Sequence, residues 1–113
     1  MMRNLLLTIS FDGTNYHGWQ VQDNAVTVQQ TLQDALEQIC SSRDNIVGCS
    51  RTDAGVHANM YCCNMRTENP IDCRKLVGAL NAILPRDIAA LDCKEVDYDF
   101  HARYDCKSKE YIY

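Results

Sequence analysis

The chain has 113 residues, of which 46% are hydrophobic and 23% charged, and its formal net charge is −4 at pH 7. This length and composition predict one globular domain, and they exclude a disordered chain and two separately packed cores. The negative charge argues against a free-standing nucleic-acid-binding protein, which needs clustered basic residues.

Neither a membrane span nor an export signal is predicted. The apolar runs, such as Leu5–Leu7 and Ile88–Leu91, are far too short to cross a bilayer, and the first residues lack the apolar core of a signal peptide. We therefore expect a cytoplasmic protein with no membrane partner.

The seven cysteines are predicted to be reduced thiols, because their number is odd and no export signal accompanies them. No Cys-x-x-Cys pair is present, and the histidines are not spaced near cysteines as in a zinc finger. We expect no metal and no cofactor. A weaker alternative is a small thiol-dependent metal binder, which a chelator-insensitive melting temperature would exclude.

The first part of the chain predicts a strand, a polar loop and a helix. Apolar residues alternate with mostly polar ones from Leu5 to Phe11, which is the period of a strand with one buried face, and Asp12-Gly13 ends it. Thr27 and Gln30 are spaced as a capping box. The helix that follows has an apolar stripe made of Val28, Leu32, Ala35, Leu36 and Ile39.

The second part predicts two short strands, a helix and a longer strand. The short strands are Ile46–Cys49 and Met60–Met65, and the longer one is Ile88–Val96. The helix opens at Ile71 and Asp72 and stops at Pro85. Its expected buried face consists of Leu76, Val77, Leu80, Ile83 and Leu84.

This order, β-α-β-β-α-β, predicts an α+β sandwich of the ferredoxin-like or RRM-like kind, with two helices on one face of an antiparallel sheet. The last residues, Tyr111-Ile-Tyr113, have the side chains of a further strand. They suggest that the chain is the front part of a longer protein; the alternative is a short edge strand at a natural terminus.

The stretch SRTDAGVH, residues 50–57, joins the two short predicted strands and carries the charged pair Arg51 and Asp53. An aspartate in such a loop is often a turn residue or a helix cap. A functional interpretation makes Asp53 a nucleophile or base that Arg51 keeps ionised, with Gly55 letting the backbone approach a substrate closely.

The stretch RTDAGVHA, residues 51–58, resembles the signature of the tRNA pseudouridine synthase A family. Four further blocks resemble the family in the same order along the chain: FDGTNYHGWQ at 11–20, Val28-Gln29 with Leu32, NAILP at 81–85 with Asp87-Ile88, and FHAR at 100–103 followed by 107–113. Ser50 departs from the family, which has glycine there. The second half that completes the family's basic cleft is absent from this chain.

The resemblance implies that the protein isomerises uridine to pseudouridine in tRNA, in the anticodon stem-loop at positions 38, 39 and 40, without a cofactor. It implies that Asp53 is the catalytic carboxylate. Three reactions of this carboxylate remain open: attack on ribose C1′, addition to uracil C6, or removal of a ribose proton. Arg51 would pair with Asp53 and fill the space left by a flipped base. Tyr111 matches the active-site tyrosine, for which a plain core aromatic is the alternative.

Contacts to RNA phosphate are assigned to His101 and Arg103, and to Lys107 and Lys109 near them. Tyr16 and Trp19 are either stacking groups for a base or half-buried cover for a helix end.

We expect the fragment to fold but to be inactive alone, and the full-length protein to be a homodimer. The rival hypothesis is a non-catalytic RRM-like RNA-binding module, although neither central strand carries the aromatic motif of that fold.

Overall fold

The computed structural model of the chain describes residues 3–19, 26–41, 46–48, 57–97 and 110–112. A short 3-10 helix, Gly13–Asn15, follows the first strand. The other elements in chain order are β1 (Arg3–Phe11), α1 (Val28–Cys40), β2 (Ile46–Gly48), β3 (His57–Thr67), α2 (Cys73–Ile83), β4 (Ile88–Val96) and β5 (Glu110–Ile112). The predicted β-α-β-β-α-β order is confirmed.

The sheet has the strand order β2-β3-β1-β4, and each neighbouring pair is antiparallel. The strand β5 pairs with the first residues of β3, on the edge of β3 that also carries β2. Helix α2 packs on β4, and the two helices contact each other. This is the predicted α+β arrangement, consistent with a ferredoxin-like fold.

The core lies between the sheet and the helices. The predicted buried face of β1 is confirmed, because Leu5, Leu7 and Ile9 have no exposed surface. A buried side chain of this size contributes about 1.5–3 kcal/mol. These residues pack in one cluster with β3, α1 and α2, whose buried members include Tyr61, Cys63, Met65, Val28, Leu32, Leu36, Leu76 and Leu80.

Helix α1 begins at the cap that the sequence predicts, whereas α2 begins at Cys73, after the predicted opening residues Ile71 and Asp72, and Asp72 is its cap. The Thr27 hydroxyl accepts a hydrogen bond from the Gln30 amide at 3.3 Å, and the Asp72 carboxylate accepts one from the Arg74 amide at 2.9 Å. Helix α1 ends at Ser41, which has a left-handed φ of 59°. Each cap satisfies an amide that has no partner within its helix.

Three details differ from the sequence prediction. The second face of β1 is also buried at Asn4 and Leu6, where the Asn64 side-chain amide donates a hydrogen bond to Oδ1 of Asn4 at 3.2 Å. Ile83 is 42% exposed rather than buried, since α2 ends there and the chain turns away toward β4. Strand β3 is longer than predicted, because its pairing with β1 extends to Thr67 and its pairing with β5 begins at His57.

Candidate active site

The structure places only part of the predicted site. Arg51 and Asp53 lie in residues 49–56, and His101, Arg103, Lys107 and Lys109 lie in residues 98–109, so all six are outside the described residues. Tyr111 is the middle residue of β5, and its backbone is described. The described part of the site therefore consists of the elements that lead into and out of these two segments.

The segment 49–56 connects two adjacent antiparallel strands, as predicted. It follows Gly48 at the end of β2 and precedes His57 at the start of β3. In the sheet, Ala58 lies between Phe11 of β1 and Tyr111 of β5. The backbone of Tyr111 therefore lies one residue pair from the point where the segment enters β3. We call the edge marked by Phe11, Ala58 and Ile88 the site end of the sheet.

Three aromatic rings are packed together at the site end. The ring of Tyr61 lies between Trp19, at a centroid distance of 4.5 Å, and Phe11, at 5.6 Å in an edge-to-face arrangement. Trp19 is only 3% exposed and Tyr16 only 6%. The hypothesis that these two side chains stack on an RNA base is therefore wrong, and they are more deeply buried than half-buried cover for a helix end.

Gly48 must be glycine because the aromatic cluster leaves no room for a side chain. A Cβ atom at this position would lie 2.5 Å from Nε1 and 2.7 Å from Cε2 of Trp19, and it would also collide with the Tyr61 hydroxyl. Carbon atoms in contact are normally 3.5–4.0 Å apart. The last residue of β2 is thus held against the indole ring, which determines where the segment 49–56 begins.

The turn after β1 is tied to the start of β4. The Asp12 amide donates to the Asp87 carbonyl at 2.8 Å, and the Tyr16 hydroxyl donates to the Asp87 carboxylate at 2.6 Å. Burial, together with this hydrogen bond to Asp87, raises the pKa of Tyr16 well above its usual value. The phenol stays protonated and keeps its role as donor.

The same turn is also tied to α1 and to β2. The amides of Val28 and Gln29 donate to the carbonyls of Gly18 and Trp19, at 3.2 and 2.9 Å. The Gln29 side chain then donates to the Ile46 carbonyl at 3.0 Å. Gly18 has a φ of 84°, which favours glycine. The last of these contacts holds the first residue of β2, two residues before Gly48.

A side-chain bridge ties α2 to β4 near the same end. The Asn81 amide donates to the Ala90 carbonyl at 2.9 Å, and its carbonyl oxygen accepts from the Ala90 amide at 2.8 Å. Sequence reasoning did not assign roles to Gly48, Tyr61, Asn81 or Asp87. Asn81 and Asp87 could have been found, because both lie in a sequence block that resembles the family, residues 81–85 with 87–88. The burial of Tyr61 and the constraint on Gly48 could not, because they depend on tertiary packing.

Comparison with known proteins identifies the family. A family model described as tRNA pseudouridine synthase matches residues 7–105. Proteins named tRNA pseudouridine synthase A match 99% of this chain, with 49% identity in Thermoanaerobacter pseudethanolicus, 51% in Caldicellulosiruptor saccharolyticus and 47% in Aquifex aeolicus. The chain belongs to the tRNA pseudouridine synthase family. The resemblance found in the sequence is confirmed.

The chain spans about half the length of the curated relatives it matches, because each alignment covers 46% of the relative. Among the described residues, no helix has both the length and the apolar character to cross a membrane.

Proposed function

We propose that the full-length protein is a tRNA pseudouridine synthase and that residues 1–113 form its N-terminal half. The observation that carries this proposal is the family match, which includes the RTDAG segment between β2 and β3. The pairing of Tyr111 with Ala58 supports it, since it brings the predicted tyrosine to the strand that leaves this segment. The reaction isomerises uridine to pseudouridine in the anticodon stem-loop, at positions 38, 39 and 40.

The proposed reaction changes bonds within one nucleotide. The bond between uracil N1 and ribose C1′ breaks, the base turns, and C5 forms the new bond to C1′ while the C5 proton leaves. A base stacked in a stem must first leave the stack, which costs a few kcal/mol. Asp53 supplies the catalytic carboxylate, and Arg51 keeps it ionised.

We propose that Tyr111 stacks on the uracil that has left the helix. Its strand extends the sheet next to β3, so backbone hydrogen bonds hold the Tyr111 backbone beside Ala58. Arg103, His101, Lys107 and Lys109 belong to the connection from β4 to β5. Cations there suit phosphate contacts that position the RNA without reading its sequence.

The proposal extends to the rest of the protein. The relatives are about twice as long as this chain, so we assign the other wall of the active cleft to a second half and expect residues 1–113 alone to be inactive. We further propose a cytoplasmic homodimer that binds tRNA without a metal or cofactor.

The RRM-like module is not favoured by the described strands. In β1 and β3, the described aromatic side chains are Phe11 and Tyr61, and both lie in the core, where Tyr61 contacts Phe11 and Trp19. An RRM instead presents aromatics on the open face of its central strands, where bases stack on them.

The decisive experiment uses the full-length protein with unmodified tRNA and compares Asp53→Asn with the wild type. The amide has nearly the same shape but no negative charge, so we expect pseudouridine, measured by nucleoside mass spectrometry, to disappear while tRNA binding in a gel shift persists. Asp34→Asn, at an exposed position of α1, is the matched control and should remain active. Full activity of Asp53→Asn would refute the assignment, and tight binding without isomerisation by the wild type would favour the binding module.

A further inference from the structure

Two cysteines that are 20 positions apart in the sequence are brought together at the packing surface between α2 and β4. Cys73 is the first residue of α2, and Cys93 lies on β4 opposite Leu7 of β1. Both are free thiols, and both line a cavity of about 190 Å³. The other residues around this cavity are Arg74, Val77, Leu91 and Asp92.

The two thiols line the same cavity, on elements that pack against each other, but they differ in exposure. Cys93 is only 8% exposed, whereas Cys73 is partly exposed at the start of the helix. Burial, and then the neighbouring Cys73, raise the pKa of the Cys93 thiol above its usual value. An oxidant therefore reaches Cys73 first, and Cys93 remains a protonated thiol beside it.

We propose that Cys73 and Cys93 are a redox modification site that closes to an intramolecular disulfide when a low-molecular-weight disulfide enters the cavity. The sulfur of Cys73 attacks one sulfur of that molecule, forming a mixed disulfide and releasing one thiol. Cys93 then gives up its proton and attacks the Cys73 sulfur, which releases the second thiol. The protein loses two electrons and two protons, and the small disulfide is reduced to two thiols.

The site is separate from the candidate active site. Cys73 begins α2 near the end of the sheet that carries Arg3, and Cys93 lies on β4, which β1 and β3 separate from β2 and from the segment 49–56 that follows it in the chain. The disulfide would join the start of α2 to β4 and close the loop between residues 73 and 93. Such a cross-link restricts the unfolded chain, so its expected effect is on stability.

Peptide mapping tests the proposal directly. Cleavage by trypsin after Arg66, Arg74, Arg86 and Lys94 yields two peptides, 67–74 and 87–94, that each contain one cysteine, Cys73 and Cys93 respectively. After incubation of the reduced protein with oxidised glutathione and alkylation of the remaining thiols, we expect these two peptides to be joined and to separate on reduction. Recovery of both peptides in alkylated form, or of Cys73 joined to another cysteine, would overturn the proposal.

Variants separate the two chemical steps. Cys93→Ser should stop at the mixed disulfide and carry one glutathionyl group on Cys73, whereas Cys73→Ser should leave Cys93 unmodified. The control Cys62→Ser, at a partly exposed position of β3, should still form the Cys73–Cys93 bond.

The oxidised wild type should melt about 5 °C or more above its reduced form. An unchanged melting temperature with a mapped disulfide would overturn the stabilising role. If Cys93→Ser does not fold, the wild-type peptide map still decides.

Discussion

At the site end of the sheet, packed aromatic rings hold elements together alongside polar links such as that from Tyr16 to Asp87, whereas at the opposite end hydrogen bonds from the polar side chains of Arg3 and Asn69 do so. The far end, as we name it, is marked by Arg3, Thr67 and Val96. There the Arg3 guanidinium donates to the Asn69 carbonyl at 2.6 Å and to the Ile71 carbonyl at 3.1 Å. Asn69 in turn donates to the Cys40 carbonyl at the end of α1 at 3.2 Å.

This difference predicts different tolerance to substitution. Rings in van der Waals contact cannot move apart without losing contacts on both faces, so an added atom at the site end affects the whole cluster. Hydrogen bonds at the far end are individually replaceable, because water can reach the partly buried groups. The segment 49–56 is thus attached to the less adaptable of the two ends, which suits a site whose groups must be held in a fixed geometry.

The largest effect is expected for Gly48→Ala. The new methyl group would overlap the Trp19 and Tyr61 side chains, and we expect a loss of about 3 kcal/mol in the free energy of unfolding, measured by urea denaturation. Gly78→Ala is the control, because a Cβ there meets no atom within 4 Å and alanine favours the helix, so stability should rise by about 0.5–1 kcal/mol. Similar stabilities for the two variants would contradict the crowding argument.

At the far end, Arg3→Met should cost about 2 kcal/mol, since it removes a charged donor from two carbonyls while keeping most of the aliphatic stem. Arg3 also forms an ion pair with Glu95 at 3.0 Å, but the Glu95 side chain is 55% exposed. Glu95→Gln should therefore change stability by less than about 0.5 kcal/mol. If the two variants lose the same amount, the ion pair rather than the carbonyl contacts holds this end.

Tyr16→Phe tests the polar link within the site end and should cost about 1.5 kcal/mol at pH 7, because the Asp87 carboxylate loses its hydrogen-bond donor. The pKa of Tyr16 is raised in the folded state from an unfolded value of 10.0. Its contribution is therefore complete below pH 10 and declines above it by up to about 1.4 kcal/mol per pH unit.

Denaturation of both proteins at several pH values checks this sign. The difference in stability between the wild type and Tyr16→Phe should shrink as the pH rises above 10. A difference that is constant, or that grows with pH, would show that the hydroxyl is not kept protonated by folding. Asp87→Asn keeps an acceptor for the hydroxyl and should lose less stability at pH 7 than Tyr16→Phe.

Local patterns were sufficient to predict much of the fold. The alternation along β1 identified its buried face, the Thr27 hydroxyl marked the start of α1, and the start of α2 was predicted to within two residues, because strand and helix-start signals depend on neighbouring residues only. The burial of Asn4 and Leu6 on the second face of β1 was not predicted. It depends on which strands lie alongside, and Asn4 is compatible with burial because Asn64 donates to its side-chain oxygen while its own side-chain amide donates to the Asp97 carbonyl.

The candidate site was predicted mainly from resemblance. Arg51 and Asp53 were identified by their motif, and the chemistry assigned to them remains a prediction. The supporting frame was not predicted, since the contact of Gly48 with Trp19 joins residues 29 positions apart that no local pattern connects. The neighbouring thiols of Cys73 and Cys93 were missed for the same reason, because a search for Cys-x-x-Cys spacing detects only pairs that are close in sequence.

The smallest effect is expected at the cap that begins α2 at the far end. The Asp72 carboxylate is exposed and accepts one hydrogen bond from the Arg74 amide, so Asp72→Ala should cost about 0.5–1 kcal/mol. Asp72→Asn keeps the acceptor but removes the charge, and it should lose only the interaction with the helix dipole, which added salt screens. Thr27 caps α1, whose first amides bond Gly18 and Trp19 at the site end, so the stability loss of Thr27→Ala can be compared with that of Asp72→Ala. Thr27 has no exposed surface, so water cannot replace its bond to the Gln30 amide. A loss at Thr27 no greater than the loss at Asp72 would mean that the site end is as adaptable as the far end.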